Sequence, residues 1–479
     1  MHLNSFFIFL FSLFAFNLTA QFYSDHCFVA EDTITKKSHI KSFIATLAID
    51  GSIWAIDRYI GKTNFSIIST ETIRKNFHSG FHWDNDYFVS NMFDHPAHGS
   101  FNFNSCNYNG LNYWESLPYN ILSSLFWEMF LENEPPSLND LFSHTIGGLA
   151  MGETTCRIGQ IIRAPYQRGI KRIGSETLNF LITPSVSLQR IINGEMWKIK
   201  KNANSIQIPA NIQIGAGIDY FANNKLAGKD AYKVAISFNV IYNDPFKLKK
   251  IKPFDHFKLK THLNILSNQP IRNKLNIVAV VYGKKIDLTD ENKIFIGIFQ
   301  HFNYYNSDTV TVRDPAIPYQ IAAPASYGLG LLFNNVSNNI DFNTEVYVSA
   351  VLIGAGKTDH YNVITKNYNI GAGYSGKVHS SATIKNKAKF NLDLEYYRLF
   401  TWKGMPPDMV ITEENLYSFQ GDRGNTIHLL VNPGLEIKLP KRLSLGIEMF
   451  YYSRENKYFY YEDVKKSSIE LTGNLLYNF

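Results

Sequence analysis

Five carboxylates and a histidine, Glu128, Glu132, Glu134, Asp140, Glu153 and His144, fall between Trp127 and Arg157, in a stretch that also holds Ser137. Carboxylates and imidazole exchange protons near neutral pH once their surroundings tune them, and a serine beside such a base becomes a nucleophile. The stretch is therefore a candidate hydrolytic or acyl-transfer centre. A structural reading competes with this and is preferred. Ser137 stands three residues ahead of Asp140, as a helix cap does, and Glu153 stands four residues before Arg157, where a helical ion pair forms. His95 and His98 are secondary candidates for a metal pair. Pro96 opposes a helix between them, so a turn carrying two exposed histidines is expected and no metal site is assigned.

The elements that would position these residues are helical. From Leu111 to Leu131 apolar and aromatic side chains recur at helical spacing, and Pro135-Pro136 ends the pattern. Ser137 and Asp140 then open a second helix, on which Asp140, His144 and Gly148 share one face. Gly148 and Gly152 form a small-xxx-small pair that lets another backbone approach closely. The expectation is an αα-hairpin over 111–165 with a polar seam.

Four segments in this region carry a family resemblance. HPAHGS at His95–Ser100, NGLNYWES at Asn109–Ser116, WEMFLENEPPSLND at Trp127–Asp140 and GGLAMGE at Gly147–Glu153 resemble the signature of an uncharacterised bacterial outer-membrane family, domain of unknown function 3943. Cys106 departs from the small or basic residue expected there. The resemblance implies an outer-membrane barrel; the family brings no activity, cofactor or site residue with it.

The rest of the chain agrees with that location. Residues 1–20 have the shape of a secretory signal, with an apolar run from Phe6 to Phe16 and Ala20 before Gln21. No later segment is long and apolar enough to span a bilayer as a helix. Aromatic residues make up 15% of the 479 residues, with 28 Tyr and 36 Phe, as the girdles of a membrane barrel require. A net charge of +6 without clustering gives nucleic-acid binding no support. Cys27, Cys106 and Cys156 are an odd set for an oxidising compartment. A bridge from Cys106 to Cys156 and buried free thiols are both open.

Residues 21–110 read as an N-terminal arm, partly β. From 177 to 479 the period becomes two. Ile206 to Tyr220, Tyr232 to Tyr242, Phe390 to Tyr396, Leu443 to Tyr451 and Ile469 to Phe479 alternate apolar with polar over lengths that suit a tilted membrane strand. About thirteen such segments are counted, beginning at Leu178, an odd number that leaves one crossing unaccounted for. With Phe479 in the periplasm, the links at 287–291, 334–339, 385–387 and 439–442 are short and periplasmic, and those at 307–318, 354–367 and 404–422 are long and external. The inward faces would carry Lys258, Lys260, His262, Asp393, Glu395, Glu436, Glu448 and Glu470, able to orient a small polar solute or simply to pair with one another.

These readings combine into a mainly β protein, a transmembrane antiparallel β-barrel of 12 to 14 strands, with the hairpin in or against it. The expected function is binding or passing a small solute or lipid, with the hairpin as a plug held by Lys258 and Lys260. The alternatives are an outer-membrane enzyme acting on envelope lipid and a structural or surface-interaction barrel. The expected partners are outer-membrane lipid and, through the aromatic C-terminal strand ending at Phe479, the barrel-assembly machinery; no cofactor is expected.

Overall fold

The computed structural model describes residues 27–30 and 36–479, apart from breaks at 166, 200–204, 209, 223–231, 267–268, 311–316, 362–364, 386, 408 and 413–414. The expected signal segment lies outside these residues.

Twelve antiparallel strands, from Ala210–Phe221 to Val464–Asn478, form a closed barrel. Each pairs with its sequence neighbour, and the last closes on the first with Tyr477 opposite Ile214. Strands reach eighteen residues, as in Ile340–Lys357, and closure leaves no edge to hydrogen-bond with anything else. The even count resolves the sequence reading's odd one. Leu178, taken as the first strand, lies in the helix Ile170–Ile182. The strand read from Ile206 onward is divided: Ser205–Ile208 pairs with Cys27–Ala30 in a separate two-stranded sheet, and the barrel begins at Ala210.

Residues 36–110, read as an arm with a few strands, are mostly helical. Helices His39–Ala55, Thr70–Ser79 and His95–Tyr108 precede the expected hairpin, whose arms are Tyr113–Phe126 and the run from Leu138 to Ile162. Their starts follow from local chemistry. Ser38 accepts from the Lys41 amide, Asn112 and Glu115 form a reciprocal capping box, and Ser137 accepts from the Asp140 amide. Wider π-helical turns at Ile56–Gly61, Ser90–Asp94, Trp127–Leu131 and Ser143–Gly147 interrupt or end these helices.

The helices lie against the outside of the barrel. In Asn292–Asn306, Phe299, His301 and Tyr305 point into the lumen, where they meet Tyr347, Lys377 and Glu395. Gln300, Phe302 and Tyr304 point the other way and meet helical residues: Gln300 accepts from the Tyr113 hydroxyl at 2.6 Å, and Tyr304 stacks on Phe88 at 5.8 Å. Ile158, Ile161, Leu149 and Phe103 share one apolar core with outward Ile212, Ile214, Val240, Leu259 and Ile370. On one face of one strand, Ile214 is 5% exposed beneath this layer and Ile218, beyond it, is 59% exposed. The plug expectation is thereby corrected. Described lumen-lining residues all come from Asn211 onward, and Lys258 and Lys260, assigned to hold the plug, pair with Glu345 and Asp393 of the barrel itself.

The helical layer is inverted relative to a water-soluble bundle. In His39–Ala55 the buried residues are Ser42, Thr46 and Asp50, while Ile40, Phe43 and Ile44 are exposed. Tyr113–Phe126 likewise buries Ser116, Asn120, Ser123 and Ser124 and exposes Trp114 and Ile121. Polar residues inside and apolar residues outside is the pattern of helices solvated by lipid, although among the described residues no helix is long and apolar enough to cross a membrane.

Candidate functional site

Small residues let the helices close on a polar seam. A Cβ on Gly148 would lie 2.7 Å from the Gly99 Cα, and one on Gly152 would lie 2.7 Å from Phe103. Within this contact Asp50 Oδ1 accepts from His98 Nε2 at 2.9 Å, Asn102 Nδ2 at 2.9 Å and Ser123 Oγ at 2.8 Å. His144 Nε2 stands 3.1 Å from Ser123 Oγ, and its ring is 4.7 Å from that of His98. Asp50 is wholly buried and reached by three donors, so this network fixes helices to one another.

At the end of the helices nearest the long links a second cluster gathers. The segment at 82–84 runs alongside 136–138 through a short parallel bridge, His82 N donating to Pro136 O and Leu138 N to His82 O. That bridge brings Asp84 to Asp140. Asn91 and Asn139 each donate to Asp84 Oδ1 at 2.9 Å, and Asn139 also donates to Asp140 Oδ1 at 2.9 Å. His95 Nε2 sits 3.3 Å from Asp86 Oδ2 and 3.4 Å from Asp140 Oδ1. Beside them Glu128 accepts from the Ser137 amide and Glu132 from Trp127 Nε1. Burial, reinforced by Glu134, raises the Glu132 carboxyl to about 8, and burial with Asp86 and Asp84 raises Glu134 to about 7.

Barrel links hold this end in place. Lys366 donates to the Asp84 carbonyl at 2.7 Å, Tyr368 to the Asp86 carbonyl at 2.8 Å, and Trp83 packs on Trp402 at 5.1 Å. The outer edge is aromatic and uncovered: Phe77, Phe81, Tyr87 and Phe130 are exposed, with Phe77 and Phe130 in edge contact at 5.5 Å.

The hairpin candidates therefore separate. Glu128, Glu132, Glu134 and Asp140 join the cluster, together with His95. Ser137 is fully buried and committed to Asn139 and the Asp140 amide, so it is not placed as a nucleophile. His98 and His144 belong to the seam. Pro96 follows directly on the π-helical turn Ser90–Asp94, and the helix runs on through it, so the turn with two exposed histidines is replaced by buried His98 and half-buried His95. Glu153 lies toward the other end of the layer, bonded at 2.8 Å to Arg157, which also reaches Asp255. Cys106 and Cys156 are buried and not bridged to each other, and Cys156 Sγ lies 3.0 Å from Asn107 Oδ1. Sequence reasoning missed Asp50, Asp84, Asp86 and Ser123. The one signal was HWDND at 82–86, two acids spaced to one side of a short extended segment.

In the lumen, Lys258, Lys260, His262, Asp393, Glu395, Glu436 and Glu448 line a cavity of about 760 Å³ that opens between the short turns. Glu470 lies deeper, bonded to Lys233 at 2.7 Å and Lys274 at 2.6 Å. His262 pairs with Asp219 at 2.7 Å, and Gln213 donates to Glu436 at 3.1 Å. Toward the long links inward Tyr305, Tyr319, Phe450 and Tyr452 pack together, with Tyr319 and Phe450 rings 5.1 Å apart.

Residues 80–185 match the domain of unknown function DUF3943. The DUF3943 span contains Asp84, Asp86, His95 and the whole hairpin, and omits Asp50 and every barrel strand. A comparison with curated proteins finds no match. Among solved structures the chain is similar to the NanC porin, at 9% identity over 56% of this chain and 98% of that one, with a TM-score of 0.28. It is also similar to the outer-membrane channel DcaP of Acinetobacter baumannii, at 11% identity over 57% and 97%, with a TM-score of 0.22. The toluene transporter TodX of Pseudomonas putida gives 8% identity over 56% and 89%, with a TM-score of 0.23.

Proposed function

We propose that the protein is an outer-membrane enzyme acting on an envelope lipid, with its site in the DUF3943 layer and its barrel as scaffold. One observation carries this. A single histidine among Asp84, Asp86, Glu128, Glu132, Glu134 and Asp140 stands at the edge of a layer whose outer surface is apolar and aromatic. An amphiphile fits such a boundary: acyl chains lie along Phe77, Phe81, Tyr87 and Phe130, and the polar head meets the cluster. With no free serine or cysteine nucleophile in the cluster, the reaction class is hydrolysis of an ester bond in the head region by water. The carboxylates take the proton from water as it adds, the ester C–O or P–O bond breaks, and the proton passes to the leaving oxygen. With the long links outside, the site serves the outer leaflet. Solute passage has less support, because buried aromatic side chains crowd the lumen toward the long links.

The test compares lipid extracts, by mass spectrometry, from cells lacking the gene and complemented with wild type or Asp140→Asn. A lipid species should be converted by wild type and remain unconverted with Asp140→Asn at equal amounts of folded barrel. Identical extracts from all three strains would reject the enzymatic reading.

A further inference from the structure

We propose that Asp84, Asp86 and His95 form a binding site for one divalent cation of the kind that accepts carboxylate oxygen together with one imidazole nitrogen, as manganese and zinc do. Each residue offers one ligand atom, and the three atoms lie within 4.8 Å of one another. Metal–ligand bonds of about 2.0–2.5 Å impose separations of this size on neighbouring ligands.

A separate observation points to a ligand. Asp84 is only 6% exposed, and its Oδ2 has no hydrogen-bond partner among the described residues. Its Oδ1 is held by Asn91 and Asn139, so the carboxylate is oriented with one oxygen saturated and the other free. A buried carboxylate oxygen left bare is costly unless something positive meets it. The nearest lysine does not serve: Lys366 Nζ is bonded to the Asp84 backbone carbonyl. Asn139 also holds Asp140 beside His95, which gives the site the outer shell that orients first ligands.

The charge balance selects this site over the other trio with suitable spacing, Asp219, His262 and Glu470 in the lumen. There Lys233 stands 2.7 Å from Glu470 and 3.7 Å from Asp219, and Lys274 adds a second cation at 2.6 Å. That trio is already neutralised. At Asp84 the acids outnumber the cations, and three protein ligands would leave positions for water and substrate, as catalytic metal sites do. The binding site stands on its own geometry; the added statement that its cation activates water for lipid hydrolysis rests on the function proposed above.

The experiment uses the full chain in detergent, stripped with a chelator and then titrated with Mn(II), bound ion being read by electron paramagnetic resonance and zinc retention by elemental analysis. Wild type should hold about one ion per chain. Asp86→Asn and His95→Gln should each weaken binding by more than about tenfold, the loss that even an outer-shell change produces. Asp219→Asn, in the lumen trio, should bind as wild type does. Asp86 lies at the partly exposed edge of the cluster, so its variant keeps the test valid if substitutions at Asp84 fail to fold. No retained ion, or equal binding by wild type, Asp86→Asn and His95→Gln, overturns the proposal. Binding without any change in lipid extracts rejects lipid hydrolysis and leaves the cation site standing; lipid conversion without binding does the reverse.

Discussion

The lumen and the outer helical layer are built from the same titratable residues and use them in opposite ways. Inside the barrel Glu345 faces Lys258, Asp393 faces Lys260, Asp219 faces His262, and Glu470 faces Lys233 and Lys274. The bases sit together on the strands Tyr232–Tyr242, Phe257–Leu266 and Arg272–Asp287 and reach across to acids on other strands, and tyrosines such as Tyr305 bond the remaining carboxylate oxygens. In the DUF3943 layer six acids gather about His95 and Lys366, so that acids outnumber cations. A paired charge in a low-dielectric wall maintains shape, whereas like charges held together store free energy that a ligand or a reaction can release. Charged side chains facing a barrel lumen are thus weak indicators of function here; a cluster on the bilayer side in which acids outnumber cations is a stronger one.

The largest effects should come from removing a hub on either side. Asp50→Ala leaves His98, Asn102 and Ser123 without their common acceptor, and Glu470→Ala leaves two lysines without a counter-charge. Each should cost on the order of 3–5 kcal/mol. The signatures differ. Asp50→Ala should make the helical layer protease-sensitive while the barrel keeps its heat-modifiable migration on gels, and Glu470→Ala should lower the temperature at which the barrel itself unfolds. Loss of barrel heat resistance in Asp50→Ala would show that the layer and the wall fold as one unit.

Next come the close approaches. A methyl group on Gly99 would run into the His144 carbonyl, whereas one on Gly473 meets nothing within 4 Å. Gly99→Ala should cost about 1–3 kcal/mol through separation of the helices. Gly473→Ala, on the outward face of the last strand, should unfold at the wild-type temperature. Equal effects at the two positions would contradict the close helix contact that positions the seam.

The two regions were not equally readable in advance. Alternation in strands such as Ile469 to Phe479 announces a barrel because lipid outside and water inside impose a period of two. Pro135-Pro136 and the cap at Ser137 announced the hairpin through strictly local chemistry, while the cap at Asn112 emerged only in the structure. The helices before it were hidden by their inversion. A search for buried apolar faces discards a helix whose inward residues are Ser42, Thr46 and Asp50, yet that spacing of four is the helical signal once the solvent is taken to be lipid. The site was half visible for a related reason. Its hairpin half is contiguous in sequence, while Asp84 and Asp86 arrive through a bridge between 82 and 137 that no local pattern encodes.

The smallest predicted effect separates the regions by sign. Asp393→Asn removes the partner of Lys260 and should lower stability, as neutralising any member of a matched pair does. Asp86→Asn weakens a contact with His95 but removes one acid from a group in which acids are in excess; its side chain is 43% exposed, so screening limits the gain to at most about 1 kcal/mol, and the excess of acids sets the direction toward higher stability in chelator. Mn(II) should reverse that order. An ion that binds only the folded wild type adds about 2.7 kcal/mol at a hundred times its dissociation constant, and Asp86→Asn, binding far more weakly, receives little of it. Thermal unfolding of wild type and variant, each with chelator and with saturating Mn(II), reads both signs in one experiment. A variant less stable than wild type in chelator would mean that the Asp86 contact with His95 outweighs repulsion from the neighbouring acids, and the contrast between a balanced lumen and an unbalanced outer cluster would fall with it.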